Sequence, residues 1–364
     1  MRITKQLGKS KVSINPIGLG TGTGFGFESI RKDNEIIYLI NSAIDFGMNF
    51  FDTAEAYFKG HSEELLGKAL KGKRSKAIIA SKFSPEHSVK KLLIKALDGS
   101  LRRLKSDYID LYQIHWPNLS VPLEETLSVL ETEVKKGKIR FIGVSNFSFR
   151  QILKTMKYLK QHPLSSVQNE YNLLERAVED QVLSICQRKS VTFIAYNPLG
   201  NWPFKKRSLL NTLIRMAKKY NKTPVQIMLN WLVNKSNTVA IPCTTSIEHL
   251  RENAESSNFS IEKEDLATLE NAFCYRVENV PISKIAIPKD LNTYHTVDDA
   301  IKNTLNSVPS PAKLSLEIKT AGGFLKPIKL KKKGKTFELS DGKIRFWAWV
   351  LAYGGKKSIP AIIE

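Results

Sequence analysis

Four residues of dissimilar chemistry, Asp52, Tyr57, Lys82 and His115, fall at or just beyond the ends of three successive β-like runs, 50–52, 77–82 and 108–115. A carboxylate, a phenol, an ammonium and an imidazole are the groups that hold and exchange protons near neutral pH. Taken singly, each has an ordinary structural explanation: a helix cap, a half-buried aromatic, a surface cation, a satisfied core histidine. Placed together at one rim, ionisable groups must be paired or functional. The next three run ends add Ser145 with Asn146, Gln168 with Asn169, and Tyr196 with Asn197, so the same rim also gains hydroxyl, amide and aromatic groups.

The elements that would position these groups are legible in the periodicity. Short β-rich runs alternate with amphipathic helical runs over residues 1–272, the pattern of a parallel sheet with helices outside it. Eight strands are expected, at 14–20, 50–52, 77–82, 108–115, 141–145, 166–169, 192–196 and 239–241. A hairpin of 3–7 and 11–13 around Gly8-Lys9-Ser10 precedes them. Helices are expected at 34–46, 88–104, 123–136, 148–159, 178–187, 209–220 and 224–233, the last opened by the cap-and-proline pair Thr223-Pro224. The fold class is therefore α/β: a (β/α)8 TIM barrel with an N-terminal hairpin over residues 1–274, followed by a small α+β domain over 275–364. In such a barrel the carboxyl ends of the strands share one mouth, which is where the four groups would meet.

After Phe273 the pattern changes. A strand at 280–287, a helix at 297–305 and a stiff link at 307–311 are expected. A hairpin of 327–330 and 336–339 around the polar run 331–335 follows, and then an amphipathic helix from about residue 344.

Composition narrows the function classes. The 364 residues are 42% apolar and 25% charged, which is ordinary for a globular chain and far from disorder. The formal charge of +21 invites a nucleic-acid reading. However, residues 275–364 hold 16 Lys+Arg against 8 Asp+Glu, leaving 40 against 27 for the rest, so the excess is spread evenly as on a lysine-rich solvated surface. Nucleic acid is not the expected partner. Cys186, Cys243 and Cys274 are too few and too scattered for a disulfide framework or a zinc site, so no metal is expected. The chain shows neither a membrane-span run nor a signal-peptide pattern in its first 20 residues, and a cytoplasmic location is expected.

Phe51-Asp52-Thr53-Ala54-Glu55-Ala56-Tyr57, Ser62-Glu63-Glu64-Leu65-Leu66-Gly67, Ser100-Leu101-Arg102-Arg103-Leu104, Asp107-Tyr108-Ile109-Asp110-Leu111-Tyr112 and His115-Trp116-Pro117 resemble the aldo-keto reductases closely. Ile142-Gly143-Val144-Ser145-Asn146-Phe147, Gln168-Asn169-Glu170-Tyr171-Asn172, Tyr196-Asn197-Pro198-Leu199 and Pro224-Val225-Gln226 extend the resemblance through residue 272. It implies reduction of an aldehyde or ketone with hydride from a nicotinamide cofactor and a proton from Tyr57. Lys82 would lower the phenol's pKa, Asp52 would hold Lys82, and His115 would hydrogen-bond the substrate carbonyl. By the same resemblance Ser145, Asn146 and Gln168 would hold the nicotinamide carboxamide and Tyr196, beside Asn197, would stack on the ring. Gly20 and Thr21 would let the cofactor approach the first strand.

Gly22, Gly24 and Gly26 lack the spacing of a dinucleotide fingerprint. At the adenosine end Thr244, His249, Glu252 and Asn253 match family contacts, while Cys243 stands where NADP-using members place a lysine. NADP is the expected cofactor, with NAD as the alternative. Trp116, Phe25, Phe83 and Trp202 are candidates for an apolar substrate pocket, each reading equally as core packing.

Residues 277–364 resemble a ParB/sulfiredoxin-like module through Val280-Pro281-Ile282-Ser283-Lys284-Ile285, Gly322-Gly323-Phe324-Leu325-Lys326-Pro327-Ile328 and Leu339-Ser340-Asp341-Gly342-Lys343-Ile344-Arg345. The resemblance implies a nucleotide or phosphate near Gly342 and Arg345. A second function class is thereby kept open: a redox-sensing regulator whose barrel binds NAD(P)H and whose tail binds nucleotide or DNA. Trp347 and Trp349 are expected to pack this domain's core.

Overall fold

The computed structural model describes residues 4–22, 33–200, 202–203, 207–273, 277–290, 292–307, 309–321 and 326–363. Phe25, Gly24, Gly26, Cys274, Ile3 and the 322–325 part of the Gly-Gly segment therefore lie outside the described residues. The chain divides into two compact units, Met1–Phe147 with Ile152–Phe273, and Cys274–Glu364 with Ser148–Gln151.

In the first unit the hairpin strands β1 (Lys5–Gln6) and β2 (Ser13–Ile14) pair antiparallel. Eight parallel strands follow: β3 (Leu19–Gly20), β4 (Phe50–Asp52), β5 (Ile78–Phe83), β6 (Ile109–Ile114), β7 (Ile139–Ser145), β8 (Leu164–Glu170), β9 (Thr192–Tyr196) and β10 (Thr238–Ala240). Their order in the sheet is their order in the chain. A parallel bridge between Ile17 and Ala240 joins the first strand to the last, so the sheet curls into a barrel. Gly18 and Gly20 donate across this seam to the carbonyls of Ala240 at 2.9 Å and Pro242 at 3.0 Å. A Cβ on Gly20 would stand 2.9 Å from the carbonyl oxygen of Ile241, so the closing strands approach too tightly there for any side chain.

Leu7 and Ile14 of the hairpin are fully buried against Phe50, Ala80, Leu111 and Ile194, which makes the hairpin a plug over one end of the barrel core. Helices fill the outside. The helix Pro224–Asn234 starts with the capping box expected of Thr223: its hydroxyl accepts from the Gln226 amide and the Gln226 side chain accepts from the Thr223 amide. Helices His61–Ala69, Ile247–Glu255 and Lys263–Ala272 add to those expected from the pattern.

The second unit is a five-stranded mixed sheet of β11 (Val277–Val280), β12 (Ile285–Ala286), β13 (Ile328–Lys333), β14 (Thr336–Asp341) and β15 (Ile359–Ile363), ordered β11-β15-β13-β14-β12. Helices Val297–Lys302, Pro311–Ala321 and Lys343–Tyr353 accompany it, and its core gathers Tyr294, Ile328, Leu330, Phe346, Trp347 and Trp349. The buried indoles find partners, Trp347 donating to the Tyr294 carbonyl at 2.7 Å and Trp349 to that of Lys357 at 3.1 Å.

Three expectations for this unit need correction. The strand expected at 280–287 is broken at Pro281 into β11 and β12, with the short turn Ile282–Lys284 between them. The link expected at 307–311 ends as a helix start, because Ser310 accepts from the Lys313 amide at 3.2 Å and Pro311 occupies the first helical position. Lys331, Lys332 and Lys333 are strand residues rather than a hairpin tip, with Lys331 opposite Glu338.

Candidate active site

Asp52 ends β4, Lys82 sits near the end of β5, and His115 follows β6, so consecutive parallel strands bring the three to one end of the barrel. Tyr57 arrives from the loop after β4, at the head of a short turn, Tyr57–Gly60, in which Phe58 and Lys59 take left-handed backbone angles. The Lys82 ammonium is the hub. It donates to Asp52 Oδ1 at 2.5 Å, to the Thr53 carbonyl at 2.9 Å and to the Tyr57 hydroxyl at 3.2 Å. The Tyr57 and His115 rings meet edge to face with centroids 5.7 Å apart. The four residues singled out by type and spacing are thus one contiguous cluster.

Its electrostatics follow from burial. The side chains of Lys82 and Asp52 are 0% and 2% exposed. Burial pushes the Lys82 pKa down, but the Asp52 charge and the Tyr57 hydroxyl pull it above the ordinary lysine value, so the ammonium is retained. Burial, helped by the Lys82 charge, pushes His115 down to about 3, so its imidazole is neutral at physiological pH. For Tyr57 burial outweighs the opposing pull of Lys82, and the phenol stands above its ordinary value. Lys82 pulls the phenol's pKa down as expected, and desolvation of the buried phenolate outweighs that pull.

Residues expected on the cofactor side fall into three groups. Ser145 and Gln168 are neighbours in register on β7 and β8 and are both buried, with Asn146 next in the chain. Asn146 has φ +63°; its side chain donates to the His115 carbonyl at 3.0 Å and to Ser145 Oγ at 3.1 Å, and accepts from the Tyr196 hydroxyl at 2.9 Å. Gln168 donates to Asp52 Oδ2 at 2.7 Å, a link to the proton-holding cluster that the sequence did not suggest. Asn197 is exposed and donates to Glu170.

Gly20 and Thr21 form the second group. Gly20 is set by the barrel seam, and Thr21, 0% exposed, has its hydroxyl on the Asp52 carbonyl at 3.0 Å. The third group lies around helix Ile247–Glu255. Thr244 accepts from the Ser246 amide at 3.1 Å, Ser246 caps the helix through the His249 amide at 3.2 Å, His249 is exposed, Glu252 accepts from the Thr223 hydroxyl, and Asn253 is buried.

Of the pocket candidates, Trp116 is 49% exposed and Trp202 half-buried. Phe83 is 0% exposed and packs on Tyr112, so it belongs to the core rather than to a pocket lining. In the second unit Arg345 donates to the carbonyls of Lys326 at 2.8 Å and Pro327 at 2.6 Å and pairs with Asp341, while Gly342 caps the helix that carries it.

Sequence reasoning gave no role to Ser62 and Glu63, which are buried behind the cluster. The available signal was a carboxylate on the apolar face of helix His61–Ala69: Glu63 shares that face with Leu66 and Leu70 at helical spacing. Among the described residues no group of three His, Cys, Asp or Glu could hold a metal ion, and no helix is long and apolar enough to cross a membrane.

Comparison with known proteins agrees with this geometry. Residues 16–273 match the aldo/keto reductase family. A methylglyoxal reductase of Escherichia coli is 31% identical over 264 residues, covering 72% of this chain and 92% of the relative. The chloroplastic pyridoxal reductase of Arabidopsis thaliana is 31% identical, covering 72% and 84%. Among solved structures, a thermostable aldo-keto reductase crystallised with the inhibitor epalrestat superposes with a TM-score of 0.71 at 40% identity, covering 74% of this chain and 99% of that one. An aldo/keto reductase from Klebsiella pneumoniae in complex with NADP and acetate gives 0.68 at 32% identity, covering 75% and 96%. With a barrel of this topology and this cluster at its strand ends, the chain belongs to the aldo/keto reductase family of oxidoreductases.

Proposed function

We propose that the barrel catalyses the reversible, NADPH-dependent reduction of an aldehyde or ketone to an alcohol, with Tyr57 as the proton donor. The observation that carries this reading is the Lys82 ammonium, held within hydrogen-bonding distance of both Asp52 and the Tyr57 hydroxyl. NADPH, when bound, supplies the hydride. Tyr57 enters the reaction protonated, as any phenol is near neutral pH, and burial reinforces this by disfavouring its phenolate. As the proton leaves for the carbonyl oxygen, Lys82 at 3.2 Å stabilises the phenolate left behind. Asp52 keeps Lys82 charged and in place, and Gln168 fixes the other carboxylate oxygen. His115, neutral, donates an N–H hydrogen bond to the carbonyl oxygen and stabilises the charge that develops there.

The residues present suit the cofactor. Ser145, Asn146 and Gln168 offer a hydroxyl and two amides at adjoining strand ends, the donors and acceptors a carboxamide needs. Tyr196 would cover the ring, with Asn197, Gly20 and Thr21 alongside. At the other end the start of helix Ile247–Glu255, with Thr244 and His249, would take the adenosine phosphate, since a helix N-terminus favours an anion, and Glu252 and Asn253 would meet the adenine. NADP over NAD is supported by relatives crystallised with NADP and NADPH; the uncharged Cys243 is the feature that favours a comparison with NADH.

The test is oxidation of NADPH and of NADH against a panel of small 2-oxoaldehydes, aromatic aldehydes and simple ketones, with wild type and Tyr57→Phe. The variant is expected to lose about 10²- to 10⁴-fold in turnover while still binding NADPH. Undiminished turnover in Tyr57→Phe would remove the assignment.

The C-terminal unit belongs to the proposal as a ParB/sulfiredoxin-like module of the same cytoplasmic enzyme. Its support is a helix that opens at Gly342 beside Arg345. Two guanidinium nitrogens already serve Lys326, Pro327 and Asp341, so a nucleotide phosphate there would have to compete with them. Calorimetric titration of a nucleoside triphosphate into the full chain and Arg345→Ala tests this, and equal heats from the two would end it. No observed feature favours the regulatory reading over the enzymatic one.

A further inference from the structure

A second polar cluster lies directly behind the Asp52–Lys82 couple, and none of its members faces the substrate side of the proposed chemistry. Ser62 and Glu63 begin helix His61–Ala69 and are 2% and 0% exposed. Ser62 Oγ lies 2.6 Å from Thr21 Oγ1 and 3.0 Å from the Thr21 carbonyl, and Thr53 donates to it at 3.2 Å. Glu63 Oε1 accepts from Ser81 Oγ at 2.5 Å, and Oε2 accepts from Arg103 Nε at 2.7 Å. The Arg103 side chain reaches Glu63 past Gly60 and Gly99. A Cβ on Gly60, at φ +92°, would stand 2.5 Å from Arg103 Cδ, so glycine keeps the passage open there, while one on Gly99 would crowd a guanidinium nitrogen at 3.2 Å.

The attachment points matter more than the cluster itself. Thr53 follows Asp52 in the chain and supplies a carbonyl to Lys82; Ser81 precedes Lys82 on β5. Because side chains alternate across a strand, the Ser81 hydroxyl points outward to the helix while the Lys82 ammonium points inward to the site. Two consecutive helix residues therefore grip, from outside, the chain neighbours of both members of the ion pair. A fully buried carboxylate with its arginine is a poor way to gain stability alone, since apolar packing of the same volume does as well or better.

We propose that Ser62 and Glu63, with Arg103 as counter-charge, are positioning residues for the reaction: they lock the ends of β4 and β5 so that Lys82 reaches Asp52 and Tyr57 at once. The Lys82–Tyr57 contact, at 3.2 Å the longest of the three that Lys82 makes, is the first to be lost if either strand end shifts. This inference rests on the carbonyl-reductase reading.

The experiment compares Ser81→Ala, Ser62→Ala and Ser81→Thr in the full chain, using a carbonyl substrate on which wild type is active. The readouts are kcat, NADPH affinity by fluorescence, melting temperature and the kinetic isotope effect with NADPH deuterated at C4. Both alanine variants are expected to lose about 10- to 100-fold in kcat, the scale of a sub-ångström to 1 Å misplacement. In both the isotope effect should grow, because proton and hydride transfer become limiting, and in Ser81→Ala, whose hydroxyl does not touch Thr21, NADPH affinity should stay unchanged. Ser81→Thr, which keeps the hydroxyl, should recover most of the loss. Alanine variants with wild-type kcat and isotope effect, or a Ser81→Ala in which kcat and NADPH affinity fall together, overturn the positioning role. A wild type inactive on every carbonyl overturns the enzymatic reading and this inference with it, whereas active wild type with silent variants removes this inference alone.

Discussion

Replacing Asp52 by Asn isolates the charge that keeps Lys82 protonated. In wild type the two side chains are 0% and 2% exposed with N···O at 2.5 Å. At an effective dielectric of 20 the gross attraction over that distance is about 7 kcal/mol. Desolvation of both ions offsets much of it, and removing one partner of such a pair typically destabilises by about 3–5 kcal/mol. For domains approaching this size each kcal/mol moves the melting temperature by roughly 2–4 °C, so a fall of about 6–20 °C is expected near pH 7.

The pH dependence distinguishes this cause from a mere loss of packing. The folded Lys82 pKa lies above its ordinary value in wild type, so its stabilisation is fully present below the unfolded pKa and is lost only as pH rises through the folded one. Without Asp52, burial dominates and the folded pKa drops below the unfolded value. The unfolded chain then binds the extra proton, so Asp52→Asn should regain stability as pH rises from 7 towards 10. Calorimetric melting of both proteins across that range is the assay. A variant that melts with wild type at pH 7, or whose deficit is independent of pH, would refute the argument that Lys82 is a buried cation held by Asp52.

Two further outcomes follow from burial. His115, with its folded pKa near 3, favours the native state less as pH falls below its unfolded value near 6.5; His115→Gln should therefore flatten the decline in melting temperature between those limits. An undiminished slope in the variant would show the imidazole to be charged or exposed. On the barrel's outside, Glu131 Oε1 accepts from the amides of Lys160, Gln161 and His162 at 3.0, 2.6 and 3.0 Å. Burial opposes its charge but those amides hold its pKa below the ordinary value, so its stabilisation is present above that value and lost as pH falls through the folded one. Glu131→Ala should lower stability at pH 7 by about 2–3 kcal/mol, measured by urea unfolding, and a midpoint within error of wild type would count against it.

The sequence disclosed the barrel because its strands and helices repeat with periods that burial enforces. It disclosed the four-residue cluster because parallel strands deliver their carboxyl ends to one mouth, so order along the chain becomes proximity in space. It left open or incomplete the surroundings of residues that depend on which way one side chain turns. Phe83 is one residue past Lys82, and alternation along β5 sends it into the packing against Tyr112 rather than into the mouth. Nothing in the sequence signalled the bond that the Gln168 amide makes across the barrel to Asp52, 116 positions away in the chain. In the second unit, Ser310-Pro311 reads equally as a stiff link or as a helix cap followed by proline, and only the Ser310–Lys313 hydrogen bond distinguishes them.

By itself, then, the sequence determined the eightfold alternation, the placement of Asp52, Tyr57, Lys82 and His115 at strand ends, and membership of a carbonyl-reducing family. Residue type and local period suffice for these, because both act through nearest neighbours. Tertiary structure alone decided the shifts in proton affinity and the grip: burial pushes the His115 imidazole down and the Tyr57 phenol up, Asp52 pulls Lys82 up, and Ser62 and Glu63 meet the backs of β4 and β5. Those properties are set by desolvation and by contacts between distant segments, which a linear chain does not possess until it closes into a barrel.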